Sequence, residues 1–153
     1  MKHLKNSSSP QSLKRRFSRN VVLYLPAILF ASLMGTYLDL IFVGKNLYEF
    51  PLRPFPGVFS INIAFTLVVL PFGTWVFLSL ANKVSRWGRL VFALVISSLA
   101  PFIEKMSMQW GFFRHADQWN HLYSFVGYFV FFVLLWKVFK WGKVGVNSMN
   151  SNS

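Results

Sequence analysis

Apolar and polar positions alternate on a coarse scale along this chain. Asn20 to Leu38 contains no charged residue, nor does Pro54 to Asn82, and fourteen and nineteen uncharged residues run through Leu90 to Ile103 and Gln118 to Trp136. A helix that spans the roughly 30 Å hydrocarbon core needs about 20 such residues. The pattern predicts four transmembrane helices at about 20–43, 57–81, 89–108 and 118–141. The third is short. Fourteen residues at about 1.5 Å each reach only about 21 Å, so the helix must continue through Glu104 and carry that carboxylate into the outer boundary.

Proline and glycine refine these elements. Pro51, Pro54 and Pro56 deny a regular helix between the first two spans. Tyr48, Phe50 and Phe55 make that loop adhesive, at the membrane surface or over the helix ends. Pro71 lies inside the second span, where it removes an N–H and clashes with the carbonyl of Leu67, so a kink is expected there. Ala31, Ser32, Gly35 and Thr36 set small side chains one turn apart, which permits close helix packing. Residues 1–19 and 142–153 are polar and should be disordered tails flanking the 20–141 membrane domain. The first apolar run has no Ala-x-Ala cleavage site, so an uncleaved span is expected.

Charge orients the spans. Of the sixteen Lys and Arg residues, twelve lie in the N-terminal tail, the 82–89 segment and the C-terminal region. Only Lys45, Arg53, Lys105 and Arg114 fall on the other side, with all four acidic residues. Cytoplasmic segments are enriched in Lys and Arg. The expected fold is therefore an all-α, antiparallel four-helix transmembrane bundle in the plasma membrane, N-in and C-in. Trp75, Trp87, Trp136 and Trp141 would mark the inner interface, and Tyr37, Tyr48, Trp110, Trp119 and Tyr123 the outer one.

Composition supports the bilayer. Hydrophobic residues make up 54% of the 153 and charged ones 13%, against about 25% charged in a soluble domain. The net charge of +12 flanks spans and lines no single folded face, so nucleic acid is not an expected partner. Anionic lipid headgroups at the cytoplasmic face are. Absence of cysteine removes disulfide, thiol-redox and Cys-based zinc chemistry. No phosphate loop, His-Glu-x-x-His helix or Gly-x-Ser-x-Gly elbow is present, so no catalytic residue is assigned and no cofactor is expected.

Depth assigns one polar group per helix to a shared outer layer: Asp39, Asn62, Glu104 and His121. Such groups face the bundle interior and pair. Lys45 or Lys105 could serve Asp39, and Arg53 or Arg114 could serve Glu104. One reading is a ligand site built from Asp39, Asn62, Glu104, His121, Arg53 and Arg114. The other is interhelical bonding alone. His115, Asp117 and His121 have metal-ligating chemistry, although His-x-Asp-x-x-x-His matches no established spacing.

Three stretches carry a resemblance: Gly35-Thr36-Tyr37-Leu38-Asp39-Leu40, Phe50-Pro51-Leu52-Arg53-Pro54-Phe55-Pro56 and Gln118-Trp119-Asn120-His121-Leu122-Tyr123-Ser124-Phe125. They resemble an uncharacterised family of small four-helix integral membrane proteins of spore-forming Gram-positive bacteria. The resemblance implies an integral plasma-membrane protein and assigns no activity. The function expected is that of a non-enzymatic sensing, binding or accessory protein acting through its outer face, alone, as a homo-oligomer or with a membrane partner. The alternatives are an oligomeric transporter or channel subunit, and an intramembrane enzyme using the outer carboxylates and histidines.

Overall fold

In the computed structural model residues 10–116 and 119–151 are described, with side chains outside 10–21, 121 and 146–151. Helix α1 spans Pro10–Gly44 and is followed by a two-residue strand β1, Tyr48–Glu49. A π-helical turn, Phe65–Val69, leads into α2, Leu70–Ala81. Helix α3 is Arg86–Gln109, strand β2 is Arg114–His115, and α4 is His121–Ser151. The described chain is thus helical, apart from the loops and one β ribbon.

Three helical segments are long and apolar enough to cross a membrane: Val22–Gly44, Arg86–Gln109 and Leu122–Gly145. In their most apolar windows only 11%, 11% and 17% of residues are buried within the chain. Surface of that kind is stable only against lipid or another apolar body. The protein is a multi-pass membrane protein by this criterion. The second expected span differs: its helix, Phe65–Ala81, is shorter than the other three, and residues 57–62 are not helical. The proline-rich entry delays the helix until Asn62, whose side chain supplies the first cap.

Both outer ends of the chain depart from expectation in the opposite sense. Helix α1 begins at Pro10 and α4 runs to Ser151, so 10–19 and 142–151 are helical where disorder was expected. Proline suits a first helical position because its missing N–H would have had no partner there. Each helix propagates outward from an apolar segment at little cost per residue.

Pro71 acts through the ladder. The Leu70 N–H bonds the Phe65 carbonyl, five residues back, so the turn before the proline is widened. Such π turns are one way a helix absorbs a disruption. Pro26 and Pro101 lie within continuous α-helix, and no such turn accompanies them.

Helix α4 packs on both α1 and α3, and α1 packs also on α2 and its π turn. Ala27 and Ala31 on α1 are fully buried, and a Cβ at Gly35 would collide with the Leu70 side chain. Small residues spaced by four therefore let α2 approach α1 closely. Ala27, Phe77, Leu78, Ala81, Ala93 and Phe139 form the core. Phe77 stacks on Phe92 of α3 with centroids 5.6 Å apart and meets Phe132 of α4 at 4.5 Å.

This core lies toward the end of the molecule that carries the α2–α3 turn, the turn end. Ser85 caps α3 by accepting from the Gly88 N–H. Arg89 donates to the carbonyls of Ala81 and Val84, closing the end of α2, and its guanidinium stacks on Trp136 at 3.6 Å. At the opposite end β1 and β2 pair antiparallel, Tyr48 with His115 and Glu49 with Arg114. This ribbon end holds the candidate site.

Candidate site at the ribbon end

Helix α1 delivers Asp39 to the ribbon end, and β1 returns Tyr48 over it. The Tyr48 hydroxyl donates to Asp39 Oδ1 at 2.6 Å. A length near 2.6 Å is typical of a hydroxyl bonded to an ionised acceptor. Burial, then the charge and hydrogen bond of Asp39, push the Tyr48 hydroxyl far above its usual range. Tyr48 therefore stays protonated and donates to Asp39. Asp39 Oδ2 is buried and has no hydrogen-bond partner among the described residues.

Helix α3 supplies Glu104, and α4 covers it. Ser124 donates its hydroxyl to Glu104 Oε2 at 2.7 Å, and Trp119 donates its indole N–H to Ser124 Oγ at 3.0 Å. Each donor has one acceptor in this chain of three. The Glu104 charge also acts on Tyr48, which places the two carboxylates in one electrostatic neighbourhood. Tyr48 and Trp119, with ring centroids 5.9 Å apart, set the donors of the two carboxylates side by side.

Aromatic rings wall that layer. Tyr48 meets Phe42, Phe50, Phe113 and Trp119 with centroids 5.1–5.9 Å apart. Tyr48 and Trp119, expected as interface anchors, are half-buried here and are hydrogen-bond donors to the polar layer. Their belt positions were legible from the sequence. Their contacts were not, because the loop must fold back before Tyr48 can reach Asp39 nine residues earlier.

The remaining candidates take other roles. Asn62 is not part of the layer: its Oδ1 accepts from the Phe65 N–H and caps the α2 entry. Arg53 is turned onto loop carbonyls, donating to Phe50 at 2.6 Å, Phe59 at 2.7 Å and Pro56 at 3.4 Å. Arg114 pairs with Glu49 at 3.0 Å across the ribbon, with both side chains more than half exposed. Arg53 finds its acceptors within its own loop, and Arg114 finds Glu49 across the ribbon. Asp39 is bonded by Tyr48 and not by Lys45 or Lys105.

His115 Nδ1 lies 3.2 Å from the Ala116 carbonyl. Asp117 and the His121 side chain lie outside the described residues. Among the described residues no group of three His, Asp or Glu side chains could hold a metal ion.

An open cleft of about 690 Å³ lies over the ribbon, lined by Lys45, Tyr48, Glu49, Arg53, Arg114 and His115 among others. It is a polar recess above the layer. Ser124 is 5% exposed, so its hydroxyl has no route to an external substrate. The bonds to the two carboxylates tie β1 to α1 and α4 to α3.

No protein-family model, curated protein or solved structure matches this chain.

Proposed function

We propose that the chain crosses the plasma membrane four times, antiparallel, with both termini in the cytoplasm. In this reading it is a non-enzymatic binding or accessory protein whose outer head is the ribbon end. It belongs with the small four-helix membrane proteins that its motifs resemble. Its partners are the bilayer, with anionic headgroups at the cytoplasmic face, and a membrane protein or a second copy.

One observation carries the topology. Strands β1 and β2 pair directly, so the ends of α1 and α3 lie at one level. If α1 and α3 each cross, the chain must return between them, and only α2 with its entry segment is available. The short helix then crosses with its loop. Tyr24 near the start of α1 stacks on Phe139 late in α4, while Phe42 near the other end meets Trp119 just before α4. Those contacts support opposite directions for α1 and α4. The charge asymmetry supports the orientation.

The binding role is supported by where polar groups are spent. Asp39 and Glu104 accept from Tyr48 and Ser124, and Arg53 and Arg114 hold loop and ribbon. What remains open is a braced cleft, suited to recognition.

Because cysteine is absent, single cysteines report cleanly. In intact cells an impermeant thiol reagent should label Asn46→Cys, and label Ser9→Cys or Ser151→Cys only after permeabilisation. Labelling of Ser9→Cys or Ser151→Cys in intact cells overturns the orientation. Purified chain in proteoliposomes should pass no ion or solute. Flux abolished by Glu104→Gln would replace the accessory role with transport.

A further inference from the structure

The entry segment between β1 and α2 carries more than a connection. Its side chains point outward. Leu52 is 53% exposed, Phe55 68%, Val58 76% and Phe59 39%. A water-facing loop of this length would ordinarily carry charge, yet Arg53 is its one charged residue. That charge is directed inward, onto the carbonyls of Phe50, Phe59 and Pro56.

The backbone is paired at some positions, while the N–H groups of Arg53, Phe55, Gly57 and Ser60 have no partner among the described residues. Pro51, Pro54 and Pro56 have no N–H to satisfy. The Leu52 N–H bonds the Gly111 carbonyl, and the Val58 and Phe59 N–H groups both bond the Phe55 carbonyl. Phe55 itself is held at a φ of 52°, in the left-handed region that non-glycine residues avoid. That turn keeps its ring outside and its carbonyl inside. The open N–H groups need water or headgroup oxygens, so the segment suits the interfacial layer and not the hydrocarbon core, where each unpaired backbone group is costly.

We infer that residues 50–60 are a non-helical element seated in the outer interfacial layer of the bilayer. Leu52, Phe55, Val58 and Phe59 enter the lipid, and Arg53 satisfies the loop's carbonyls. The segment adjoins the uncharged run that continues to Asn82, so its apolar surface is continuous with that of α2. Trp110 and Phe112, exposed beside it after α3, suit the same level. The assignment also fits the short helix: the second crossing ends in a loop seated at the interface. Polarity changes sharply at Glu49, whose partner Arg114 lies on the aqueous ribbon.

This inference rests on the four-crossing topology, and the test separates the two. The full chain, reconstituted in vesicles of phosphatidylcholine and phosphatidylglycerol, carries a nitroxide at Phe55→Cys, Val58→Cys, Leu67→Cys or Asn46→Cys. All four positions are exposed. Collisions with oxygen report lipid, and collisions with a nickel chelate report water. Labels at 55 and 58 should favour oxygen several-fold relative to 46, as 67 does. Labels at 55 and 58 that match 46, while 67 reads lipid, overturn the loop assignment alone. A label at 67 in water overturns the topology and this inference with it. Labels at 55 and 58 shielded from both reagents indicate a protein cover and also overturn it. Adding Arg53→Ala should move the 58 label several-fold toward the nickel chelate, and Arg53→Lys should move it less; no movement in Arg53→Ala removes the role given to Arg53.

Discussion

The two ends of the molecule are held together by different physics. At the turn end, Phe77 sits between Phe92 and Phe132, and Ala81, Ala93 and Phe139 pack around it. Its charged residues Lys83, Arg86, Lys137 and Lys140 are exposed. At the ribbon end the loops fold back, and carboxylates are matched to hydroxyl donors beneath an aromatic wall. Apolar helices gain little from association in lipid, because lipid is as apolar as their side chains. The turn end relies on shape: small residues, stacked rings and a short turn. The ribbon end can use polar bonds, because it reaches the boundary where charge costs less. Arg89 is the exception at the turn end, and there too it works at the helix terminus, where carbonyls lack partners.

Substitutions at each end should therefore fail in different ways. The largest effect is expected for Phe77→Ala, which opens a void between three helices. Truncating a buried Phe costs about 3–5 kcal/mol in water-soluble cores, and the lower end applies here because the separated helices remain in lipid. Unfolding in mixed micelles, followed by near-ultraviolet circular dichroism, measures it. A loss no greater than that from an exposed position such as Phe102→Ala would remove the turn end's claim to be the core.

Next comes Glu104→Ala, which leaves the Ser124 hydroxyl without its acceptor. A buried donor left unpaired costs about 1–3 kcal/mol. Glu104→Gln keeps an acceptor oxygen and should cost clearly less in the same assay. Equal losses from Ala and Gln would mean that the charge itself, not the bond to Ser124, holds the ribbon end.

The smallest effect is expected at Arg114→Ala. Its ion pair with Glu49 is exposed on both sides, and exposed pairs contribute about 0–1 kcal/mol. Melting curves at low and high salt should nearly coincide for wild type and variant. A larger, salt-dependent loss would make the ribbon, not the carboxylate layer, the main brace of that end.

Much of this architecture was legible in one dimension. Apolar run length does not depend on neighbours, so the helices α1, α3 and α4 could be read from charge-free stretches alone. Glu104 was placed at the boundary because a fourteen-residue run is too short without it. The packing role of Ala31 and Gly35 followed from spacing, since residues four apart share a helix face. The Pro71 irregularity followed from a missing N–H, although its form as a π turn did not.

Other features required the chain to fold back on itself. Tyr48 and Ser124 became partners of the carboxylates, and Trp119 of Ser124, only because β1, β2 and the start of α4 converge on one end. Asn62, Arg53 and Arg114 have side chains suited to a site, yet Asn62 and Arg53 found partners in their own segments and Arg114 found Glu49 across the ribbon. Hydropathy sums along the chain and carries no information about which loop meets which. The sequence by itself determined that apolar helices would be matched to a bilayer, because that matching is a property of each segment. Only the tertiary structure decided which polar groups pair, because a hydrogen bond depends on distances between segments that hydropathy does not encode.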